Sequence, residues 1–215
     1  MVEVKICGVC RPEDARSAAD AGASYIGVIL APGRARSRSR AEAAAILDAC
    51  AARRVGVFVD EAPEAVAEAA RELALDVVQL HGVEGIDAIE RIRDSFTGEV
   101  WKAVRVRDAA DVAHASAAYF ARTEALLLDG WSARHDGGAG VRFDWDGIAR
   151  SDAVPAGVRI VLAGGLTPEN VADAVRLLRP AVVDVSSGVE SSPGSKSPDR
   201  IRAFVDAARG ARDGT

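Results

Sequence analysis

The chain has 215 residues and a net charge of -5, which gives it length enough for one substantial core and too acidic a balance to favour nucleic acid. Its three cysteines are too few and too unevenly placed for a disulfide framework, and the C-x-x-C of Cys7 and Cys10 has no second ligand pair to complete a zinc site. No apolar run approaches the roughly 18 residues of a transmembrane helix, and no basic stretch followed by an apolar one opens the chain, so a reducing cytoplasm and no membrane contact are expected.

The first strand is expected over 2–7 (VEVKIC), where Val2, Val4 and Ile6 alternate with Glu3, Lys5 and Cys7. A helix over 12–22 follows, opened by "RPED", with proline in the first turn and acids just after it. The pattern repeats along the chain. Further strands are expected over 25–30, 54–59, 76–80, 100–105, 124–128, 158–162 and 181–185, and further helices over 39–52, 62–74, 84–94, 108–120, 144–150, 168–178 and 198–209. "TPEN" and "SPDR" mark the last two helix starts, and Asp144 is placed to cap the sixth helix. Strand and helix alternating eight times predict parallel strands with right-handed crossovers, and hence a single (β/α)8 barrel over 1–215. An open doubly wound sheet is the competing arrangement.

The longest irregular stretches, 31–38, 129–143 and 186–197, each follow a strand, which in a barrel is the end that builds the site. Parity says which side chains reach it. With Val2, Val4 and Ile6 under the helices, Lys5 and Cys7 point to the axis, as do Gln79 and His81 in "VVQLHG", Asp129 in "LLLDG", and Asp184 and Ser186 in "VVDVSSG". Polar groups thus converge where a purely structural barrel would place Val, Ile and Leu.

Gly164 and Gly165 after the seventh strand, with Ser186, Ser187 and Gly188 after the eighth, are either ordinary turns or a phosphate cradle of backbone N–H groups and hydroxyls. Cys7 is either a small buried hydrophobe or a base whose ionisation Lys5 favours. Asp129 is either a surface cap or the acid that works with it, because shuttling a proton between adjacent carbons needs two groups in opposite protonation states. Arg36, in the arginine-rich "APGRARSRSR", suits a bidentate carboxylate clamp, and Arg34, Arg38 and Arg40 read as solvated charge. His81 is a contact at the mouth or a satisfied core histidine. Gly137, Gly138 and Gly140 belong to a lid or a plain surface loop.

Six segments taken in order, "VKICGVCRPEDA", "VGVFVD", "VVQLHG", "LLLDG…GGAGVRFDW", "LAGGLTPENV" and "VDVSSGVESSPGSK", resemble the phosphoribosylanthranilate isomerases of tryptophan biosynthesis. The resemblance implies a (β/α)8 barrel with no cofactor and no metal, and a phosphorylated small molecule as its ligand. It implies an Amadori rearrangement of N-(5-phosphoribosyl)anthranilate to 1-(2-carboxyphenylamino)-1-deoxyribulose 5-phosphate, in a monomer or homodimer. By position it implies Cys7 as general base, Asp129 as general acid, Arg36 on the carboxylate, the two loops on the phosphate, and His81 and Asp184 along the site. Both working groups are then expected to titrate nearer neutrality than usual. Ala35 stands where the family has proline, and Ala139 where it has threonine. Three alternatives remain: a sister phosphate-binding barrel such as a pentulose-phosphate epimerase, a copy acting on a modified anthranilate, and a binding module without turnover.

Overall fold

The computed structural model describes residues 1–130, 144–151, 153, 154 and 156–211. Eight parallel strands close into a barrel, β1 (Glu3–Ile6), β2 (Tyr25–Ile29), β3 (Arg53–Phe58), β4 (Val77–Leu80), β5 (Glu99–Val106), β6 (Ala125–Gly130), β7 (Ile160–Leu162) and β8 (Val182–Val185). Helices α1 (Pro12–Asp20), α2 (Arg40–Leu47), α3 (Pro63–Glu72), α4 (Ile86–Arg93), α5 (Ala109–Tyr119), α6 (Trp145–Ala149), α7 (Val171–Leu178) and α8 (Pro198–Gly210) follow the strands in turn. Closure is made by β1 against β8, with Glu3 opposite Val182 and Lys5 opposite Asp184. No helix among the described residues is long and apolar enough to cross a membrane.

Strand alternation sorts the apolar side chains into two layers. Val2, Val4, Ile6, Val78, Leu80, Leu126, Leu128 and Val183 join the helices in the outer core. Tyr25, Val55, Val77, Trp101, Leu127 and Val161 fill the barrel axis as a separate inner cluster. The axis is therefore a plugged interior, with polar side chains confined to its two ends.

The opposite end is tied by charge. The Tyr25 hydroxyl accepts from Arg53 Nη1 at 2.7 Å and Arg159 Nη2 at 2.8 Å, and donates to Glu3 Oε2 at 3.2 Å. Glu99 accepts from Arg53 Nη2 at 2.8 Å, Arg159 Nη1 at 2.6 Å and Trp101 Nε1 at 2.7 Å. Burial pushes the Glu99 carboxyl up, but these donors outweigh it and hold the group below its usual range.

Two local expectations are revised. The stretch 186–197 is not irregular throughout: a short 3-10 turn (Ser187–Val189) leads into an antiparallel hairpin of β9 (Glu190–Ser192) and β10 (Ser195–Lys196). Pro193 and Gly194, with Gly194 at φ +80, make the tight turn between them. The second revision concerns α7, which begins at Val171 rather than 168 because Asn170 is spent on the preceding loop: its Oδ1 accepts from Thr167 N–H at 2.8 Å and its Nδ2 donates to the Gly165 carbonyl at 2.8 Å. Asp144 does cap α6, accepting from Gly147 N–H at 2.9 Å.

Replacing Tyr25 with phenylalanine strips two arginines and a glutamate of a shared partner, at a cost of about 1–2 kcal/mol, since each charged bond lost is only partly replaced by water. Urea unfolding of Tyr25→Phe checks this, and an unchanged midpoint contradicts it.

Candidate active site

At the carboxyl end of the strands lies a cavity of about 370 Å³. Cys7, Arg36, His81, Asp129 and Asp184 line it, and so do Gly164, Gly165, Ser186, Ser187 and Gly188. Every candidate within the described residues is thus brought to one space. Gly137, Gly138 and Gly140 lie outside the described residues. Among those described, no group of three or more His, Cys, Asp or Glu side chains is arranged to hold a metal ion.

Cys7 directly follows β1, where its N–H donates to the Val185 carbonyl at 2.8 Å, and it lines the cavity. Lys5, two residues earlier on the same face, is fully buried and donates from Nζ to Asp184 Oδ1 at 2.9 Å. Its ammonium also interacts with the Cys7 sulfur. The expected drift of the thiol toward neutrality does not occur. Burial pushes Cys7 up, Lys5 pulls it down, and Asp184, which already answers the Lys5 charge, pushes it up again, so the net direction is upward. The Lys5 ammonium itself is held charged: burial opposes it, and Asp184 and Cys7 outweigh the burial.

Across the cavity, Asp129 sits at the end of β6. His81 Nε2 lies 3.3 Å from Asp129 Oδ2, and Gln79 Nε2 lies 3.1 Å from His81 Nδ1. Gly164 closes in from β7 at φ +81; a Cβ there would stand 2.4 Å from the Gly130 nitrogen and 2.9 Å from Asp129 Oδ1, so only glycine lets this loop approach.

Arg36 takes the left-handed backbone region at φ +67, a conformation that costs a non-glycine residue about 1–3 kcal/mol. Alanine at 35 leaves this strain unsupported by a proline; hydrogen bonds hold it instead, from Ser37 N–H to the Arg34 carbonyl at 3.1 Å and from Arg38 N–H to the Ile29 carbonyl at 2.8 Å. The guanidinium does not wait unpartnered for a carboxylate. Its Nε donates to Glu190 Oε1 at 2.7 Å and its Nη2 to Glu190 Oε2 at 2.8 Å. Lys196 Nζ shares Glu190 Oε1 at 3.0 Å and reaches the Ser186 carbonyl at 3.0 Å. Burial pushes Glu190 up and Lys196 down; the two cations win at Glu190, which is held below its usual range, and burial wins at Lys196.

Glu190 and Lys196 were not among the residues singled out by motif, although both stand in "VESSPGSK". The Pro-Gly pair between them was the available signal, since it marks a hairpin that turns its two strands back toward the barrel mouth. Their chemistry is clear from the contacts: the hairpin fastens the Arg36 loop to the loop that carries Ser186.

Comparison with known proteins gives a consistent set. The profile of the family described as N-(5'phosphoribosyl)anthranilate (PRA) isomerase matches residues 4–207. An N-(5'-phosphoribosyl)anthranilate isomerase of Trichlorobacter lovleyi is 45% identical over 95% of this chain and 97% of its own length. Its counterpart from Chromohalobacter salexigens is 43% identical over 94% and 92%. The crystal structure of phosphoribosyl anthranilate isomerase from Thermotoga maritima superposes with a TM-score of 0.87 at 38% identity, covering 98% of this chain and all of that one. A crystal structure of phosphoribosyl anthranilate isomerase in complex with reduced 1-(o-carboxyphenylamino)-1-deoxyribulose 5-phosphate superposes at 0.84 and 38% identity, over 98% of this chain and 100% of that one.

Glu190→Ala leaves two buried or half-buried cations without their counter-charge, and a buried pair broken on one side loses about 3–5 kcal/mol. Chemical unfolding of Glu190→Ala against the parent measures the loss; a difference within error excludes the clasp.

Proposed function

This chain belongs to the N-(5'-phosphoribosyl)anthranilate isomerase family, and on that premise we propose how its cavity performs the Amadori rearrangement of N-(5-phosphoribosyl)anthranilate. By that membership it is an isomerase of tryptophan biosynthesis. The observation that carries the assignment of roles is the convergence of ten candidate side chains and loop residues on one cavity at the carboxyl end of the barrel. One chain supplies them all, so the reading needs no second subunit, whether the protein works as a monomer or a homodimer.

The substrate's phosphate is held between Gly164–Gly165 and Ser186–Gly188. Backbone N–H groups of glycine-rich turns after the last two strands form a ready anion site in this fold. The anthranilate carboxylate meets Arg36. Glu190 occupies the Nε side, which leaves the edge formed by Nη1 and the second Nη2 hydrogen for a bidentate contact.

With both ends fixed, the sugar lies between Cys7 and Asp129. Asp129 donates a proton to the ribose ring oxygen, and the ring opens to a protonated Schiff base. Cys7, as thiolate, takes the proton from C2′, and the electron pair left behind neutralises the iminium to give an enolamine. Tautomerisation then yields the aminoketose. His81 orients the Asp129 carboxyl through Nε2, and Gln79 orients His81. Cys7 must stay unoxidised and outside any disulfide for this step, which supports a reducing, cytoplasmic setting; all three cysteines are free.

The test is an assay on freshly generated phosphoribosylanthranilate, following loss of its fluorescence. General acid-base groups contribute about 10²–10⁴ in rate, so Cys7→Ser and Asp129→Asn should each lower turnover by at least a hundredfold. Near-parent rates in both variants refute the roles. Arg36→Ala should raise KM more than it lowers kcat, and an unchanged KM removes the carboxylate contact.

A further inference from the structure

We propose that Lys5 and Asp184 are opposed positioning residues for Cys7, the ammonium favouring departure of the thiol proton and the carboxylate restraining it, so that the pair sets how readily Cys7 acts as a base. The proposal rests on the reading of Cys7 as general base.

The geometry is specific. Lys5 lies opposite Asp184 on β8 and opposite Tyr25 on β2, with its Nζ 2.9 Å from Asp184 Oδ1. Gly27 on β2 clears the space beside the pair: a Cβ there would stand 3.0 Å from Cys7 Sγ and 3.1 Å from Lys5 Nζ. Thiol and ammonium therefore share one glycine-lined niche. The other charged groups that act on Cys7 are Lys196 from β10 and Arg36 from the loop after β2, and both already share Glu190 as counter-ion. Lys5 differs from them because its counter-ion stands beside the thiol as well.

Stability does not explain the pair. A buried Lys–Asp contact gains little over apolar side chains of the same volume, and the inner cluster beneath it is built from Val, Ala and Leu with Tyr25 and Trp101. A lysine at this depth has a use only if its charge acts on a neighbour. The mechanism gives Cys7 a step that depends on its proton, and Lys5 is the cation that shares its niche.

The experiment follows alkylation of Cys7 by iodoacetamide in a Cys10→Ala, Cys50→Ala background, by intact mass, at a pH below the thiol's midpoint. There the rate tracks the thiolate fraction, because the thiolate is the nucleophile. Each unit of pKa is roughly a tenfold change in thiolate fraction, offset in part by the greater nucleophilicity of the more basic thiolate. Lys5→Met should slow alkylation by about tenfold or more, Asp184→Asn should quicken it severalfold, and the double variant should fall between them. Any other order overturns the proposal. Loss of structure exposes the thiol and quickens alkylation, so slowing in Lys5→Met cannot come from misfolding. If Lys5→Met does not fold, Gly27→Ala keeps both charges and wedges a methyl group between ammonium and thiol. An upward move of the pH midpoint of its alkylation supports the proposal, because a methyl group that only shields the sulfur slows the rate without moving the midpoint; an unmoved or lower midpoint overturns it. No substrate is used, so the isomerase reading fails or stands separately: rates in the expected order without turnover refute the isomerase alone, and turnover with the wrong order refutes the pair alone.

Discussion

The constraint on which the rest depends is the pairing of the first strand with the last, β1 against β8, which closes the barrel. Lys5 and Asp184 are 179 residues apart in sequence and 2.9 Å apart in space. They meet because β1 and β8 run side by side in register, the pairing that turns an open sheet into a closed barrel. Around this seam most of the site assembles. The Cys7 N–H is held by Val185 at the end of β8, and the hairpin after β8 reaches across to Arg36 through Glu190 and to Ser186 through Lys196. Asp14, on α1, accepts from the Lys196 N–H at 3.3 Å and adds a third strap. A cavity lined from the chain's beginning, middle and end exists only when that seam is shut.

Two polar networks sit at opposite ends of the same cylinder and do different work. At the amino end, Tyr25, Glu3, Arg53, Glu99 and Arg159 satisfy one another almost completely, with Tyr25 packed edge-on against Trp101 at 5.1 Å. At the carboxyl end, Gln79, His81 and Asp129 form a chain that stops at open space. The apolar plug of Val55, Val77, Leu127 and Val161 separates them. Saturated bonding serves stability, and bonding capacity left pointing into a cavity serves a ligand. The division follows the general rule for this fold, in which one rim holds the barrel together and the other carries function.

Much of this was legible in the residues. Alternation in "VEVKIC" and "VVQLHG" placed Cys7, Gln79 and His81 on the axis, because side chains on a strand have a period of two and the outer face must be apolar to pack under helices. What escaped was long-range pairing. The bond from Glu190 to Arg36 links positions 154 apart, and no local pattern carries it. The same gap explains the direction of the Cys7 titration. Lys5 stands two residues from Cys7 and is visible at once, whereas the Asp184 that answers its charge comes from the far end of the chain. At α7 the error was local: "TPEN" reads as a helix start, but the Asn170 side chain is used to brace the Gly165 turn.

The upward displacement of Cys7 has a chemical consequence beyond catalysis. Peroxide attacks thiolates, not thiols, and an accessible thiolate is the first step on the way to sulfenic and then irreversibly oxidised sulfur. A thiol whose burial and acidic neighbour favour the protonated form is therefore a poor oxidation target. The burial and the Asp184 charge that delay its ionisation thus also shield the sulfur from oxidation.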